Sequence, residues 1–284
     1  MILAPLRGVT VRCFRTVFGE IAAGAGFDEA FTPFVPAAAG FDPLRDRELR
    51  GGPESPLRAT PQFIGKDPAA LKKSLVRIRG AGYEFADLNA GCPFPMVRRK
   101  GRGAGLLRTP DVLARMLDAG CEAMGERRFS LKARLGVDGP DELLGLMPII
   151  NSFPLRFLTV HARTARQMYG GECDAAAFAR VAAAAKMPVV YNGDVPFPPP
   201  PGAASSLMVG RGFIRALAGR ADAADMLDAY AGASLAELKA DRPVLGRLKE
   251  LVSYWKSEPG WDRRWKAAKL AATVGEFLCA VRMR

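Results

Sequence analysis

Short apolar runs alternate with longer amphipathic stretches along most of this chain, and that alternation predicts its architecture. Eight runs read as strands: Ile2–Leu6, Glu29–Val35, Thr60–Ile64, Phe85–Asn89, Phe129–Arg134, Phe157–His161, Val189–Asn192 and Ser206–Val209. Helix patterns lie between several of them, notably Pro68–Ala81, Asp111–Met124 and Ala175–Ala185. Asp67-Pro68 and Thr109-Pro110 each set a capping residue before a proline, a good helix start because the first helical N–H needs no partner. Eight strands separated by helical or irregular segments over roughly 210 residues predict an α/β fold, the (β/α)8 TIM barrel. A doubly wound sheet is the alternative, but the turn G-x-G-x-x-G expected after its first strand is absent.

Two segments break the rhythm. Arg45–Arg58 is charged and rich in Gly and Pro, which predicts a long exposed loop after the second strand. Pro196–Pro201 is nearly all proline and cannot be helical; it occupies the place of the seventh crossover helix, which is missing or reduced to one turn. Beyond Leu217 the pattern turns helical, with Asp222–Tyr230, Leu235–Trp255 and Arg263–Val281 as expected helices. Leu245, Leu248, Leu251, Val252 and Trp255 form an apolar stripe beside Arg242, Arg247, Lys249 and Lys256, as an amphipathic helix requires. The expected division is a barrel over 1–216 and a basic helical domain over 217–284.

Composition narrows the function. With 284 residues and 49% hydrophobic positions, a disordered or collagen-like chain is excluded. No apolar window reaches the ~18 residues of a membrane span, and Met1–Pro5 lacks a basic leader. Five cysteines, none in a C-x-x-C pair, argue against a disulfide frame or zinc ribbon and for a reducing cytoplasm. The single histidine removes His-rich metal sites, and no metal is expected. The 41 Lys and Arg against 29 Asp and Glu leave a net charge of +12. That excess fits a polyanionic partner such as nucleic acid and equally the Arg-rich usage of a GC-rich genome.

Barrel active sites sit at the C-terminal ends of the strands. Here those ends carry Pro5-Leu6-Arg7, Gln62, Asn89, Lys132 with Arg134, His161 with Arg163, Asn192-Gly193-Asp194 and Gly210-Arg211-Gly212. Neutral donors and acceptors with a cation suit a flat heteroaromatic that has amide and carbonyl edges and an anionic tail. Gly210-Arg211-Gly212 follows the eighth strand, where barrels bind phosphate through backbone N–H groups. Lys132 can stabilise negative charge on a reduced flavin, Gln62 and Asn89 can bond a pyrimidine edge, and His161 can reach the ring or the phosphate. Flavin mononucleotide fits this set best.

Cys92, in a Gly-Cys-Pro turn directly after Asn89, is poised as proton donor or nucleophile; an isolated cysteine is otherwise core filler. Arg98, Arg99, Lys100 and Arg102 follow it as either a solvated loop or a grip on phosphates.

The motifs A-P-L-R-G-V-T, Q-F-I-G, D-L-N-A-G-C-P, G-A-G-L-L, L-K-A-R-L-G, V-H-A-R-T, N-G-D-V and M-V-G-R-G-F occur in that order from Ala4 to Phe213. Together they resemble the tRNA-dihydrouridine synthases, and R-L-K-E-L-V-S-Y-W-K at Arg247–Lys256 is similar to the helical tRNA-binding domain of the bacterial C-type subfamily. The resemblance implies an FMN-dependent enzyme that reduces the C5–C6 bond of a D-loop uridine, with position 16 the expected site and NADPH the electron donor. It implies that Cys92 protonates C5 and that Pro5, Leu6, Arg7, Gln62, Lys132, His161, Asn192, Gly193, Asp194, Gly210 and Arg211 hold the flavin. Asn89 and Arg134 would face the flipped base. Arg98, Arg99, Lys100, Arg163, Arg247 and Lys249 would contact tRNA, and the protein is expected to act as a monomer. Where the family carries an acidic residue near the base, this chain reads Thr32-Pro33-Phe34-Val35-Pro36. A flavoenzyme for a free pyrimidine and a non-catalytic RNA-binding barrel are the other readings; the first has no use for the basic loop and tail, the second none for the flavin residues.

Overall fold

The computed structural model describes residues 1–50, 52, 56–200 and 206–283. Ten parallel strand segments follow one another along the chain: β1 (Ile2–Leu3), β2 (Glu29–Phe31), β3 (Val35–Pro36), β4 (Arg58–Thr60) and β5 (Gln62–Ile64) come first. Then follow β6 (Ala86–Ala90), β7 (Phe129–Gly136), β8 (Leu158–Thr164), β9 (Val189–Asn192) and β10 (Leu207–Val209). The sheet order is β3-β5-β6-β7-β8-β9-β10-β1-β2-β4. Since β3 continues β2 and β5 continues β4 along the chain, the order closes on itself as eight barrel positions.

The breaks have a physical cause. Pro61 has no N–H for the ladder, and Pro33 has none either. Gln62 N–H donates instead to Thr32 Oγ1 at 3.1 Å, while Thr32 N–H donates to Thr60 O at 3.0 Å. The runs expected as single strands over Glu29–Val35 and Thr60–Ile64 are therefore two short segments each, bridged by a hydroxyl.

Around the barrel lie α1 (Arg12–Gly24), α2 (Pro68–Gly80), α3 (Pro95–Arg98), α4 (Pro110–Met124), α5 (Glu142–Ile150), α6 (Ala175–Ala184) and α7 (Arg211–Ala216). Asp67 caps α2 by accepting from Ala69 and Ala70 N–H at 3.0 and 3.2 Å. Pro110 opens α4 as expected, but the Thr109 hydroxyl turns back to Leu106 O instead of capping. Among residues 193–200 and 206 there is no helix; the rest of the Pro-rich segment, Pro201 included, lies outside the described residues. Phe197 seats that segment between Phe27 and Phe213, with ring centroids 5.7 and 5.3 Å away.

The Arg45–Arg58 stretch differs from the exposed loop expected of it. Leu49 and Leu57 are buried, Tyr83 Oη donates to Leu49 O at 3.0 Å, and Arg15 grips both the Glu48 carboxylate and carbonyl. Residues 51 and 53–55 lie outside the described residues.

The C-terminal part holds α8 (Ala223–Leu238), α9 (Asp241–Ser253), α10 (Trp261–Ala268) and α11 (Val274–Val281). The expected helix over Leu235–Trp255 is two, because Lys239 is left-handed (φ 52°) and Pro243 lacks the N–H a continuous helix would need. The run expected over Arg263–Val281 breaks before Thr273, which caps α11 by accepting from Glu276 N–H, while Glu276 Oε2 accepts from Ala272 N–H. The pairing is reciprocal as in a capping box, with the carboxylate reaching the residue before the cap. One apolar core joins barrel residues Leu3, Phe14 and Val209 to Trp255, Trp261 and Phe277. Trp255 and Trp261 donate their indole N–H groups to Ile214 O and Ala218 O at 2.6 and 2.9 Å, so the tail is held by burial and by satisfied polar edges. No helix among the described residues is long and apolar enough to cross a membrane.

The barrel interior is divided. Ala4, Phe31, Phe157, Val190 and Met208 fill one side with apolar bulk. Glu29, Thr60, Gln62, Asp87 and Ser130, all buried, make the other side polar. That polar side leads up to the strand ends where the cavity opens.

Candidate active site

A cavity of about 400 Å³ opens at the C-terminal ends of the strands, within the range of small-molecule sites. Strand register sets its floor: Asn89 lies opposite Lys132, Arg134 opposite His161 and His161 opposite Asn192. Because strand side chains alternate, Lys132 and Arg134 both point inward.

The first loop lends Ala4, Pro5, Leu6 and Arg7 to the wall, and the last strand end lends Gly210 and Arg211. Gln62, Asn89, Cys92, Lys132, Arg134, His161, Asn192 and Gly193 complete the predicted residues that line it. Asp194 stands one layer back, bridging Arg163 and Arg211.

Hydrogen bonds hold these side chains in place. Lys132 Nζ donates to Asn192 Oδ1 at 2.9 Å, and Asn192 Nδ2 donates to Met208 O at 2.8 Å. Asn89 Oδ1 accepts from Gly91 and Cys92 N–H at 3.1 and 2.8 Å. Asn89 thus holds the Gly91-Cys92-Pro93 turn from below. Arg134 Nε donates to Gly91 O at 3.0 Å and its Nη1 to Thr164 O at 2.8 Å.

The electrostatics favour an anion. Arg7, Lys132, Arg134 and Arg211 line the cavity, with one carboxylate, Glu250, among the lining residues. Burial, and then the charge of Arg134, push Lys132 down to about 8. Burial, reinforced by Lys132, Arg134, Arg163 and Arg211, holds His161 neutral. Arg163 Nη1 faces His161 Nε2 at 3.4 Å; a guanidinium only donates, so Nε2 accepts and Nδ1 carries the proton. Burial pushes the Cys92 thiol above its ordinary range, against the pull of a backbone N–H and of Arg134. The thiol therefore stays protonated at neutral pH.

Other expected residues are placed elsewhere. Arg98, half-buried, donates to Pro93 O, while Arg99 and Lys100 stand exposed beyond the cavity rim. Arg163 is buried and spent on Gly170 O, Gly171 O and Asp194; it supports the wall and is corrected from a tRNA contact. Arg247, partly buried, is ion-paired with Glu237 at 2.8 Å against α1. Lys249 Nζ donates to Ala271 O at 2.6 Å, tying α9 to the segment before α11.

Pro33 and Phe34, from the stretch read above as lacking an acidic residue, line the cavity, and Phe94, Tyr169, Glu250 and Tyr254 line it too without having been singled out. Tyr169 stands over the guanidinium groups of Arg134 and Arg211, at 5.3 and 5.5 Å. Glu250 and Tyr254 are four apart, a same-face helical spacing that was legible. That their face reaches the barrel mouth was not.

Among the described residues no cluster of His, Cys, Asp and Glu could hold a metal ion. A family model described as dihydrouridine synthase matches residues 2–222, which leaves α8 to α11 outside the match. The chain is 32% identical over 199 residues to tRNA-dihydrouridine synthase B of Vibrio cholerae, covering 70% of this chain and 61% of that one. It is 31% identical over 204 residues to the tRNA-dihydrouridine(16) synthase of Ralstonia nicotianae, covering 69% and 61%. The chain thus spans about three-fifths of the length of these relatives. Among solved structures it is similar in fold to an old yellow enzyme homologue from Zymomonas mobilis, with a TM-score of 0.56 at 13% identity over 76% of this chain and 85% of that one. Morphinone reductase follows at a TM-score of 0.51 and 13% identity, covering 76% and 82%.

Proposed function

The chain belongs to the dihydrouridine synthase family, and from that premise we propose that it reduces the C5–C6 bond of a tRNA uridine to 5,6-dihydrouridine with a flavin cofactor. FMN is the flavin that suits the site, NADPH the reductant that recharges it, and the uridine at position 16 the expected target. That position is the one named for the Ralstonia nicotianae relative.

The residues present fit FMN. Half of the lining is polar donors and cations converging on one cavity, and Gly210 and Arg211 stand where α7 begins, next to the phosphate position of barrel folds. Pro5, Leu6, Arg7, Gln62, Lys132, His161, Asn192 and Gly193 would surround the ring system and ribityl chain, with Asp194 holding Arg211. When bound, FMN would supply the hydride that reaches C6 of the uracil ring. Cys92 Sγ–H gives its proton to C5, so one hydride and one proton saturate the double bond and leave a thiolate that solvent reprotonates. Lys132 holds positive charge under the site, and neutral His161 donates from Nδ1. Asn89 and Arg134 face the base from below.

The tRNA, a polyanion, is met by exposed Arg99 and Lys100 at the rim, and residues 217–284 form the domain that orients it. The observation that carries this reading is the place of Cys92, lining the cavity that Lys132 and Asn192 floor on a turn whose Cys92 N–H is held by Asn89 Oδ1. The test is dihydrouridine mapping in tRNA from a strain deleted for this chain, together with flavin absorption of the purified protein. Loss of one dihydrouridine and a yellow protein are expected; an unchanged tRNA, or a protein that takes up no FMN, overturns the reading.

A further inference from the structure

Below the cavity lies a carboxylate that the reduction does not use. Asp87, on β6, is fully buried. Its Oδ1 accepts from Ser130 Oγ at 2.6 Å, and its Oδ2 accepts from Gln62 Nε2 at 2.7 Å. With Oδ2 accepting, whether the carboxyl is ionised or carries its proton on Oδ1, Asp87 dictates that the nitrogen end of the Gln62 amide faces it. Gln62 Oε1 is thereby turned the other way and accepts from Asn89 Nδ2 at 2.7 Å. With its nitrogen engaged there, Asn89 presents Oδ1 to the N–H groups of Gly91 and Cys92 at 3.1 and 2.8 Å.

Each amide in this chain has two ends that differ little in shape. Turned over, Asn89 would aim an NH2 group at two backbone donors, and the turn would lose its hold. Only an oxygen that accepts from Gln62 at its far end gives the chain a single direction.

We propose that Asp87 is a positioning residue that, through Gln62 and Asn89, sets the direction of the hydrogen bonds holding the Gly91-Cys92 turn, and so places the Cys92 thiol. Its consequence for catalysis rests on the reading of Cys92 as proton donor; the placement of the thiol does not. Buried polar chains of this kind act as a unit, because each member fixes its neighbour.

The test compares Asp87→Asn, Gln62→Leu and the double variant. Asparagine keeps the shape of Asp87 but can donate as well as accept, so it no longer dictates the amide direction. The readouts are the rate at which iodoacetamide alkylates Cys92, followed by peptide mass spectrometry to separate it from the other four cysteines, and kcat and KM on unmodified tRNA. Alkylation is run with FMN at saturation and without it. Each single variant should change the Cys92 rate by about tenfold, the scale of a charge-assisted hydrogen bond, and lower kcat with KM nearly kept. The double variant should change it no further than the larger single, because both cut one chain. An unchanged rate in Gln62→Leu, or effects that multiply in the double variant, overturns the proposal. If Asp87→Asn does not fold, Gln62→Leu decides alone. Alkylation needs no turnover, so a protein inactive on tRNA would overturn the proposed function and leave this result readable.

Discussion

Gly103 lies so close beneath Cys92 that a Cβ on it would stand 2.7 Å from Cys92 Cβ and 2.9 Å from Cys92 O. Its φ is +56°, and the next residue, Ala104, donates its N–H to Cys92 O at 3.1 Å. The glycine of G-A-G-L-L is thus the floor on which the cysteine turn rests. Gly103→Ala should cost about 1–3 kcal/mol in strain and displacement and lower dihydrouridine formation more than it lowers stability. Thermal denaturation beside turnover measures both; wild-type turnover would show that the contact is not needed.

Cys92→Ala should abolish dihydrouridine formation while FMN stays bound, since the thiol stands at the wall and the flavin residues are distributed over the other strand ends. Retained turnover would remove Cys92 from the mechanism.

Lys132 sits at about 8, so a bound anion should hold its proton on. FMN affinity is then constant below that pH and falls as pH rises through it. Titrating FMN at successive pH values checks this, and Lys132→Met should flatten the dependence. A slope that survives in Lys132→Met assigns it elsewhere.

Burial raises Asp87 from 3.8 to about 7 against the donors Ser130 on β7 and Gln62 on β5 and the charge of Lys132, with Glu29 on β2 adding to the rise. For a carboxylate raised in the folded state, the stabilising contribution is complete below 3.8 and is lost as pH climbs through about 7. The wild type should therefore lose stability relative to Asp87→Asn across that window, by at most ~1.4 kcal/mol per pH unit. Denaturant titrations at pH 4.5 and 7.5 read the difference; parallel curves would contradict it.

The exposed and the engaged cations should separate cleanly. Replacing Arg99 and Lys100 by alanine should weaken tRNA binding and reduce its salt slope by about 1–2. Arg247→Ala should leave the slope alone and lower stability by about 2 kcal/mol. Despite burial, which raises it, Glu237 is held below the ordinary carboxylate range by Arg247 and Arg12, and would keep only Arg12. Filter binding over a salt series decides between them.

Much of this protein was legible in the chain. Strands two residues apart in pattern and helices opened by Asp67-Pro68 depend on local chemistry, and local chemistry is written in order along the sequence. The candidate site was legible for a related reason: in a barrel every strand end faces one place, so Gln62, Asn89, Lys132, His161 and Asn192 must meet once the fold is known. Pro61, Pro243 and the Thr273-to-Glu276 box were readable too, and mark the breaks where the expected elements divide.

Partners far apart in sequence were decided by tertiary structure alone. Whether an arginine is exposed or spent depends on what packs against it: nothing in the charge pattern separates Arg99, open at the rim, from Arg247, paired with Glu237, or Arg163, locked to Asp194. The docking of α9 on the barrel brings Glu250 and Tyr254 to the mouth of a cavity more than 150 residues from Cys92. The direction of the Asp87–Gln62–Asn89 chain likewise exists only when β5 and β6 stand side by side. Sequence by itself determined which groups this protein owns; packing decided which of them remain available to a ligand.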